Sequence, residues 1–544
     1  MSNDIPQRGR QVLNDPHLNR GTAFTAEERE HLGLTGLLPP GKQTLADQVA
    51  RVMENSRRKP SDLERYIFMM ALLDRNETLF YRAVLEHLTD FLPIIYTPTV
   101  AEAALEYGHI FRRAHGLYVT AEDRGHIPEV LANWSEPDVQ VIVVTDGSRI
   151  LGLGDLGANG MSISIGKLAL YTAAGGIDPR TTLPVMLDAG TDNEDLLADP
   201  LYLGLRRHRL AGEEYVAFVD EFMDAVSTAF PNALVQFEDF VTHRAYELLE
   251  RYRHDHRMFN DDIQGTAAVV LAGLMAAMRI TGGRLREKRV LFVGAGSANT
   301  GVADLLVRAL TQAGLPLDEA RRCCWFVDDR GLITAARGDL APHSRPYAHP
   351  AGSVPGDPGD LVDVIHALRP AALIGATGAP GIFTRDVLGA MAEIEDRPIV
   401  FALSNPTNRS EVTAEQAYAW TEGRAVFASG SPFAPVTLGD RRFEPGQANN
   451  VYVFPGIGLA VTAFGIDRVS DDMFLAAARA VAATVSEERL ARGGVFPVLH
   501  RIREVSAAIA VAVGRVAYET GAASVPEPPD LAASVRERMW VPEY

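Results

Sequence analysis

The sequence predicts an α/β protein in which a helical N-terminal region precedes two units built on mostly parallel sheets. Apolar residues recur at helical spacing within 61–87. From residue 139 onward, short apolar runs that end in Gly, Asp or Ser alternate with helical stretches. The run RVLFVGAG at 289–296 leads from a strand directly into a glycine turn. Such alternation is typical of a parallel sheet covered by helices.

The N-terminal 90 residues are predicted to be mostly helical. Residues 1–60 are polar, with a Pro-Pro-Gly break at 39–41, and we expect loops with short helices there. Ser61 is a capping residue and Glu64 follows it three positions later, a pattern typical of a helix start. This helical stretch is expected to run to about His87.

The first α/β unit is placed at 91–265. Its predicted strands are the apolar runs PIIYT at 93–97, VQVIVVTDG at 139–147, LPVMLDAG at 183–190 and ALVQFEDF at 233–240. A helix is expected from Tyr215 to Phe230, and another at about 265–281, where Gly282 and Gly283 interrupt the chain.

The second unit is placed at 266–515 and is expected to be a Rossmann-like dinucleotide-binding domain. Beyond the glycine turn, a helix is predicted from Thr300 to about Gly314. Further strands are predicted in CCWFVDD at 323–329, ALIGATG at 372–378 and PIVFALSNPT at 398–407. Strand ends of this kind line the ligand crevice of an open parallel sheet. Residues 516–544 are predicted to be a C-terminal extension at a subunit interface.

Composition restricts the function classes. Lys and Arg total 52 against 70 Asp and Glu, a net charge of −18, which opposes a nucleic-acid-coating or membrane-surface role. The two cysteines, Cys323 and Cys324, are neighbours and cannot build a disulfide framework. The N-terminus lacks the apolar core of a signal peptide, and no apolar run approaches the roughly 20 residues that span a bilayer. We therefore expect a cytoplasmic protein.

The glycine turn is the cofactor signal. Its predicted cofactor-binding residues are Gly294, Ala295, Gly296, Ser297 and Ala298. The glycines permit a tight turn and close approach of a pyrophosphate to the following helix. Asn299 stands where a third small residue is usual, so a glycine turn without nucleotide is the alternative.

An acid at the end of the next predicted strand bears on the choice of cofactor. Asp328 is expected to bond the adenosine ribose hydroxyls. Asp329 would repel a 2′-phosphate, whereas Arg330 would attract one. On balance this pattern favours NAD over NADP.

Four carboxylates predict a divalent metal site. Glu238 and Asp239 end a strand, and Asp261 and Asp262 begin an apolar helix. Such a cluster, without His or Cys, suits Mg²⁺ or Mn²⁺. Adjacent strand residues face opposite ways, so Glu238 and Asp239 can share an ion only if the strand ends or twists there. Helix caps and solvated acids are the alternative.

Further chemistry-bearing residues lie in apolar surroundings. Lys167, in a glycine-rich apolar segment, is expected to have a lowered pKa and to act as a base; a structural ion pair is the alternative. Arg149 follows a predicted strand and either clamps a substrate carboxylate or is an ordinary surface arginine. Tyr96 ends an apolar run before a proline. Asn405, Asn449 and Asn450 are either hydrogen-bond donors to substrate or turn residues.

Taken together, these segments resemble the malic enzymes, the metal-dependent oxidative decarboxylases of L-malate. The resemblance rests on motifs that occur in the family's order: YTPTV at 96–100, SRILGLGDLGANGM at 148–161, IGKLALYTA at 165–173, QFEDF at 236–240, FNDDIQGTAAVV at 259–270, GAGSA at 294–298, LSNPT at 403–407, ASGSPF at 428–433 and QANNVYVFPGIG at 447–458. With RNETLFYR at 75–82 and MWVPEY at 539–544, it extends over nearly the whole chain.

The resemblance implies roles for single residues. Glu238, Asp239 and Asp262 would hold Mn²⁺ or Mg²⁺. Lys167 would take the malate hydroxyl proton, with Asp261 orienting it, and Tyr96 would protonate C3 of enolpyruvate. Arg149, Asn405 and Asn450 would bind substrate. Besides the glycine turn and Asp328, the cofactor would contact Arg149, Asp262, Thr266 and Asn405.

The resemblance leaves alternatives open. Ala101, Ser162 and Ser164 depart from the usual family residues, and the last two lie beside Lys167. TAAGGIDP at 172–179 and WVPEY at 540–544 are also similar to the malolactic enzymes, which form lactate and CO₂ from malate with bound NAD and Mn²⁺. A non-catalytic nucleotide sensor would have lost catalytic residues, and amino-acid dehydrogenases of similar architecture need no metal.

Assembly and regulation are also implied only by the resemblance. Family members form homodimers or homotetramers, with end segments that reach neighbouring subunits. Arg51 and Arg75 occupy places where some relatives bind a dicarboxylate activator, although pairing at a helix surface or interface is the favoured interpretation.

Overall fold

The computed structural model describes residues 7–544, which form a helical N-terminal region, two α/β units and a C-terminal helical layer. The N-terminal helices continue past residue 90, so the predicted boundary falls inside one of them. Their bounds are α1 (Arg10–Asn14), α2 (Ala26–His31), α3 (Leu45–Arg57), α4 (Asp62–Leu73), α5 (Glu77–Glu86), α6 (Leu88–Ile95), α7 (Thr99–Leu105) and α8 (Tyr107–Ile110).

The strand expected at 93–97 is wrong, because these residues lie in α6 and the turn after it. Phe91, Leu92, Ile94 and Ile95 are all buried, so the segment is apolar on every side. A short run of this kind has no periodicity that distinguishes a buried strand from a buried helix. Pro93 lies inside the helix despite lacking a backbone donor.

The first α/β unit carries a five-stranded parallel sheet in the order β1-β3-β2-β4-β5. Val141 of β2 pairs with Thr182 of β3 and with Leu234 of β4. The elements are β1 (Leu117–Thr120), α9 (Ile127–Leu131), β2 (Val141–Thr145), α10 (Met161–Gly175), β3 (Thr182–Asp188), α11 (Glu194–Ala198), α12 (Gly212–Ala229), β4 (Leu234–Phe237), α13 (Thr242–Tyr252) and β5 (Met258–Asn260).

A π-helical turn, Asp261–Gly265, joins β5 to the long helix α14 (Thr266–Thr281) and so connects the two units. Together they make one helical stretch, 261–281, that is long and apolar enough to cross a membrane, which the sequence was not expected to contain. Most of it is buried within the protein, as a core helix is.

The second unit carries a seven-stranded sheet in the order β14-β11-β10-β9-β6-β7-β8, parallel except for the short β8. The strand order reverses between β6 and β9, so a crevice opens beyond their carboxyl ends. The elements are β6 (Val290–Val293), α15 (Ser297–Gln312), α16 (Leu317–Arg322), β7 (Cys324–Asp328), β8 (Gly331–Leu332), α17 (Leu361–Leu368), β9 (Ala372–Gly375), α18 (Arg385–Ile394), β10 (Ile399–Ala402), α19 (Ala414–Trp420), β11 (Val426–Ser429), β12 (Val436–Leu438), β13 (Arg441–Phe443) and β14 (Gly446–Gln447).

The C-terminal helices join both units to the N-terminal region. They are α20 (Phe454–Phe464), α21 (Asp471–Thr484), α22 (Glu487–Ala491), α23 (Ile502–Thr520) and α24 (Leu531–Arg538). Helix α20 packs on α10, α21 packs on α14, and one apolar core runs through all of them. Trp540 donates its backbone N–H to the Gly176 carbonyl (2.7 Å) and packs its ring edge-on against Tyr81. The end of the chain thus lies on its own N-terminal helices.

Candidate active site

A cavity of about 260 Å³ lies between the two units, where the ends of β4, β9 and β10 meet the glycine turn. Most of the predicted site residues line it: Tyr96, Arg149, Glu238, Asp239, Asp262, Thr266, Gly296, Ser297, Ala298, Asn405 and Asn450. Lys167 and Asp261 lie directly beneath them and are fully buried. Asp328 lies outside this cavity, at the end of β7.

Lys167 projects from α10, a helix in which every residue is buried. Its Nζ is 2.8 Å from the Glu238 carboxylate and bonds Asp261 directly, and it lies 5.3 Å from the centre of the Tyr96 ring. Burial acts to lower the pKa of Lys167, but the two carboxylates outweigh it and raise the pKa well above its ordinary value. The expected lowered pKa is therefore wrong for this arrangement, because both neighbouring acids are buried with the amine.

The metal ligands converge because β4 ends at Phe237. Asp239 adopts a left-handed backbone conformation (φ 57°), which removes the strand alternation that would have separated it from Glu238. Asp262 comes from the π-helical turn and accepts the Asp239 N–H (2.8 Å). One ligand oxygen from each of Glu238, Asp239 and Asp262 lies within 4.8 Å of the others. Within residues 7–544, no other group of His, Cys, Asp and Glu meets this test.

The electrostatics of this cluster fit a divalent cation. Burial, and next the charge of Asp262, raise the pKa of Asp239 well above its ordinary value; burial likewise raises the pKa values of Glu238 and Asp262. The buried Oδ2 of Asp239 has no hydrogen-bond partner in the part of the chain described. Buried carboxylates this close need a compensating charge, and oxygen ligands suit Mg²⁺ or Mn²⁺.

Two residues that were not predicted to belong to the site hold Glu238 in place. Gln236 donates from Nε2 to Glu238 Oε2 (2.8 Å), and the Tyr171 hydroxyl donates to Gln236 Oε1. Both side chains are fully buried. The signal in the sequence was a glutamine inside an otherwise apolar strand, since a buried amide needs partners.

Asn450 and Thr266 connect Asp261 to the cavity wall. Asn450 Nδ2 donates to Asp261 Oδ2 (2.9 Å) and lies 3.1 Å from Thr266 Oγ1. Asn449 instead caps the short helical turn that follows it, through the Val451 N–H (3.0 Å). Of these two asparagines, only Asn450 bonds Asp261, the partner of Lys167.

Arg149 and Asn405 face the cavity from opposite units. Arg149 donates from Nη1 to Thr242 Oγ1 (2.8 Å), and within the described chain it forms no ion pair with an acid, so its guanidinium is available to an anion. Asn405 accepts the Ser431 hydroxyl at its Oδ1 (2.6 Å). Its backbone carbonyl closes on Gly152 of the first unit, where an added Cβ would lie only 2.5 Å from the oxygen. The two units are therefore in close contact beside the cleft.

Tyr96 ends α6 and is nearly buried. Burial raises the pKa of its hydroxyl far above the ordinary value, although Lys167 opposes the shift. The phenol therefore stays protonated at neutral pH and can give its proton only to a strongly basic acceptor.

The glycine turn adopts the geometry that a bound pyrophosphate requires. Gly294 has a φ of 94°, which favours glycine, and α15 begins at Ser297 directly after the turn. Asn299, the unusual third residue, is buried and donates from Nδ2 to the carbonyls of Val293 (2.9 Å) and Gly294 (2.8 Å). Asn299, which departs from the usual fingerprint, thus stabilises the turn, and Gly296 lines the cavity.

Asp328 does not stand free at the end of β7 as expected. Arg337 binds both of its oxygens (2.7 and 2.8 Å) and also contacts Asp339. Asp339 in turn accepts from Arg330 (2.9 Å), and the hydrogen bonds from Arg337 lower the pKa of Asp339 to about 2. The carboxylate on which the choice of NAD depended is already neutralised.

Arg51 and Arg75 line a separate pocket of about 200 Å³ among the N-terminal helices. Arg51 bonds Gln43, and Arg75 donates to the Ala71 carbonyl (3.1 Å). Neither guanidinium pairs with an acid within residues 7–544. Pairing with an acid on the helix surface is therefore absent from this part of the chain, whereas pairing across a subunit interface stays a prediction.

Comparisons with known proteins agree across the whole chain. Residues 73–253 match the family model described as malic enzyme, N-terminal domain, and residues 263–518 match malic enzyme, NAD binding domain. The NADP-dependent malic enzyme of Columba livia is 50% identical over 541 residues, covering 99% of this chain and 96% of the relative. The Homo sapiens NADP-dependent malic enzyme is 49% identical, covering 99% and 94%.

Solved structures support the fold. The Entamoeba histolytica malic enzyme superposes with a TM-score of 0.59 at 22% identity, covering 94% of this chain and 91% of that one. The Pyrococcus horikoshii malic enzyme gives 0.56 at 25% identity, covering 83% and 89%. The expectation of NAD dependence is wrong in the light of the sequence relatives, which are NADP-dependent by name at 48–50% identity.

Proposed function

Because the chain belongs to the malic enzyme family and catalyses the oxidative decarboxylation of malate, we propose that it uses NADP together with Mn²⁺ or Mg²⁺. The observation that carries the proposal is the meeting of three metal-binding carboxylates with the Lys167–Asp261 pair in a cleft that faces the glycine turn.

The residues that line the cleft fit both the divalent cation and the nicotinamide cofactor. A cation held by Glu238, Asp239 and Asp262 supplies Lewis-acid stabilisation of negative charge on the substrate oxygens, and the nicotinamide supplies the acceptor for the C2 hydride. Arg149, across the cleft, binds a malate carboxylate through its guanidinium. Asn405 holds the substrate from the cofactor side.

Lys167 and Tyr96 move the protons. A cation held by Glu238 would offset one of the two charges that raise the pKa of Lys167, so that the amine can be neutral. Neutral Lys167 takes the proton of the C2 hydroxyl as the hydride leaves C2, which converts malate to oxaloacetate. The C3–C4 bond then breaks and CO₂ departs. The electron pair of the broken bond stays on the C3 side. Tyr96 gives its proton to C3 to form pyruvate, and Lys167, which lies against the Tyr96 ring, then passes the proton it took to the Tyr96 oxygen. Atoms and charge balance over the two half-reactions.

A product assay tests the reaction. Purified protein is mixed with L-malate and Mn²⁺, with NADP⁺ or NAD⁺ in parallel, while reduced cofactor, pyruvate and lactate are recorded. We expect reduced cofactor and pyruvate to rise in step, and faster with NADP⁺. Lactate without net reduction would instead support the malolactic reaction, and absence of both products would contradict the enzyme assignment.

The support for NADP in this chain is the ion pair of Asp328 with Arg337. An acid that is already bonded on both oxygens no longer selects for free ribose hydroxyls or repels a phosphate. Replacing Arg337 with Ala frees Asp328, and we expect the ratio of kcat/KM for NADP over NAD to fall about tenfold, which corresponds to roughly 1.4 kcal/mol. The exposed Arg286 provides a control, since Arg286→Ala should leave the ratio unchanged; an unchanged ratio in the Arg337 variant would contradict the proposal.

We further propose that the protein forms a homodimer or homotetramer. Exposed apolar side chains lie close together at α7–α8 and the 199–204 loop: Leu105, Phe111, Leu201 and Leu203. The His109–Asp199 contact (3.2 Å) joins these two segments. Apolar patches of this kind mark subunit interfaces. Light scattering should give a multiple of the 59.1 kDa chain mass, and Leu201→Asp should shift it toward the monomer.

A cytoplasmic location is proposed as well. The free thiols of Cys323 and Cys324 support a reducing compartment. Fractionation of cells with an antibody against the protein tests this location, and recovery with an organelle or extracellular fraction would contradict it.

A further inference from the structure

Glu411 is a buried acid that the reaction scheme does not use. It lies between a short helical turn, Thr407–Arg409, and α19, and it is fully buried. All of the hydrogen bonds that its carboxylate accepts come from neutral groups. Burying a carboxylate without a neighbouring cation costs folding free energy. The presence of Glu411 therefore indicates a function that outweighs this cost.

Two loops supply all the donors. After β9, Thr377 donates its backbone N–H (2.9 Å) and its hydroxyl (3.0 Å) to Glu411 Oε1. After β10, Ser404 donates its backbone N–H to Oε2 (3.2 Å) and its hydroxyl to Oε1. Glu411 therefore fastens the loop after β9 to the loop after β10.

The same two loops form the cofactor side of the catalytic cleft. Thr377, Gly378, Ser404 and Asn405 all line the cavity. The Ser404 hydroxyl oxygen also accepts the Gly378 N–H (2.8 Å), so the bonds of Glu411 extend to the cavity wall. The carbonyl of Ala376, next to Thr377, lies against Gly294 of the glycine turn.

Glu411 packs closely against the end of β9. Gly375, the last residue of β9, has no side chain, and a Cβ there would lie 2.7 Å from Glu411 Cγ. The Glu411 backbone carbonyl in turn accepts the Phe383 N–H (3.1 Å). The backbone and the side chain of Glu411 are thus both fixed at the carboxyl ends of β9 and β10.

We propose that Glu411 is a positioning residue for hydride transfer. It fixes the loops after β9 and β10, and with them Asn405, against the nicotinamide end of the cofactor. This inference rests on the proposed function, because it assumes that a nicotinamide occupies the cleft beside these loops. It assigns Glu411 no contact with the reacting atoms.

A comparison of the two half-reactions tests the proposal. Malate oxidation requires the nicotinamide ring to be aligned with C2 of malate. Decarboxylation of added oxaloacetate requires the metal ligands and Tyr96 but no hydride transfer. We expect Glu411→Ala to lower kcat for malate oxidation by about 10- to 100-fold, the range for a misplacement of up to about 1 Å. Oxaloacetate decarboxylation in the presence of Mn²⁺ should keep the wild-type rate.

Isotope effects and conservative variants add a readout that a purely structural role would not change. With [2-²H]malate, the deuterium effect on kcat should rise in Glu411→Ala, because hydride transfer becomes slower than the other steps. Glu411→Gln keeps the Oε1 acceptor and should restore part of the rate. Glu415→Gln makes the same charge change at an exposed site on α19 and should match wild type.

The possible outcomes distinguish failure of the positioning role of Glu411 from failure of the proposed function. A parallel loss of both half-reactions in Glu411→Ala and Glu411→Gln, or an unchanged malate rate and isotope effect, would overturn the positioning role. If Glu411→Ala does not fold, the Gln variant and its isotope effect decide the question alone. Failure of the wild-type protein to reduce NADP⁺ with malate would instead overturn the proposed function.

Discussion

Substitution of Gly152 by Ala tests whether the two units must close to a fixed separation. Gly152 belongs to the loop that carries Arg149, and its backbone faces the Asn405 carbonyl of the other unit. An added Cβ would lie 2.5 Å from that oxygen and 3.6 Å from Pro406 Cδ. Ordinary contact begins at 3.4 Å, so the units must separate by about 0.9 Å or distort locally.

The expected effect follows from that displacement. A misplacement of about 1 Å between reacting groups costs about 100-fold in rate, or roughly 2.7 kcal/mol of transition-state stabilisation. Overpacking of this kind destabilises by about 1–3 kcal/mol, which a chain of this size can tolerate. We therefore expect kcat for malate oxidation to fall by one to two orders of magnitude while the protein remains folded.

Steady-state kinetics measures the loss of kcat in Gly152→Ala, and thermal unfolding shows whether the variant remains folded. Gly389→Ala is the matched control, because a Cβ there meets nothing within 4 Å and lies within α18. That variant should keep the wild-type kcat and unfold at the same or a slightly higher temperature. A Gly152 variant with wild-type kcat would show that the contact with Asn405 does not set the catalytic separation, and the reasoning would fail.

Three further outcomes are expected. Lys167→Ala should lower malate turnover by about 10²–10⁴-fold while Mn²⁺ still binds, and near-normal turnover would contradict the base assignment. Asp262→Asn should weaken Mn²⁺ binding in a titration together with activity, whereas unchanged affinity would exclude Asp262 as a ligand. Burial acts to raise the pKa of Asp155, but Arg209 outweighs it and lowers the pKa below its unfolded value, so the pair stabilises the fold above about pH 4 and loses this effect as pH falls through the folded pKa. Asp155→Asn should therefore lower the melting temperature at pH 7, by an amount that shrinks toward pH 3; an equal loss at both values would contradict the pairing.

The metal-binding residues were largely predictable from the sequence because they occur in two short and distinctive segments. Adjacent acids at the end of an apolar strand, and again at the start of an apolar helix, have few explanations other than a cation. Glu238, Asp239 and Asp262 therefore converge as predicted. What the pattern could not give was the left-handed turn at Asp239, which depends on how β4 ends.

Other features depended on long-range contacts that no local pattern contains. The raised pKa of Lys167 requires Glu238 and Asp261 to approach from distant segments. The neutralisation of Asp328 requires Arg337, which lies beyond β8 in an irregular segment. Likewise the buried apolar run at 91–95 belongs to α6, and four apolar residues without periodicity do not distinguish a helix from a strand.

The π-helical turn at the junction of the two units has a thermodynamic consequence. Asp261 and Asp262 stand on this turn, and α14 continues it into the core of the cofactor unit. Any reorientation of that unit must therefore move a metal ligand and the partner of the base. We therefore expect occupancy of the cation site and occupancy of the nucleotide crevice to be linked, and each should change the affinity for the other by the same factor, as reciprocity of binding free energies requires. Titration of either ligand in the presence and absence of the other measures that coupling directly.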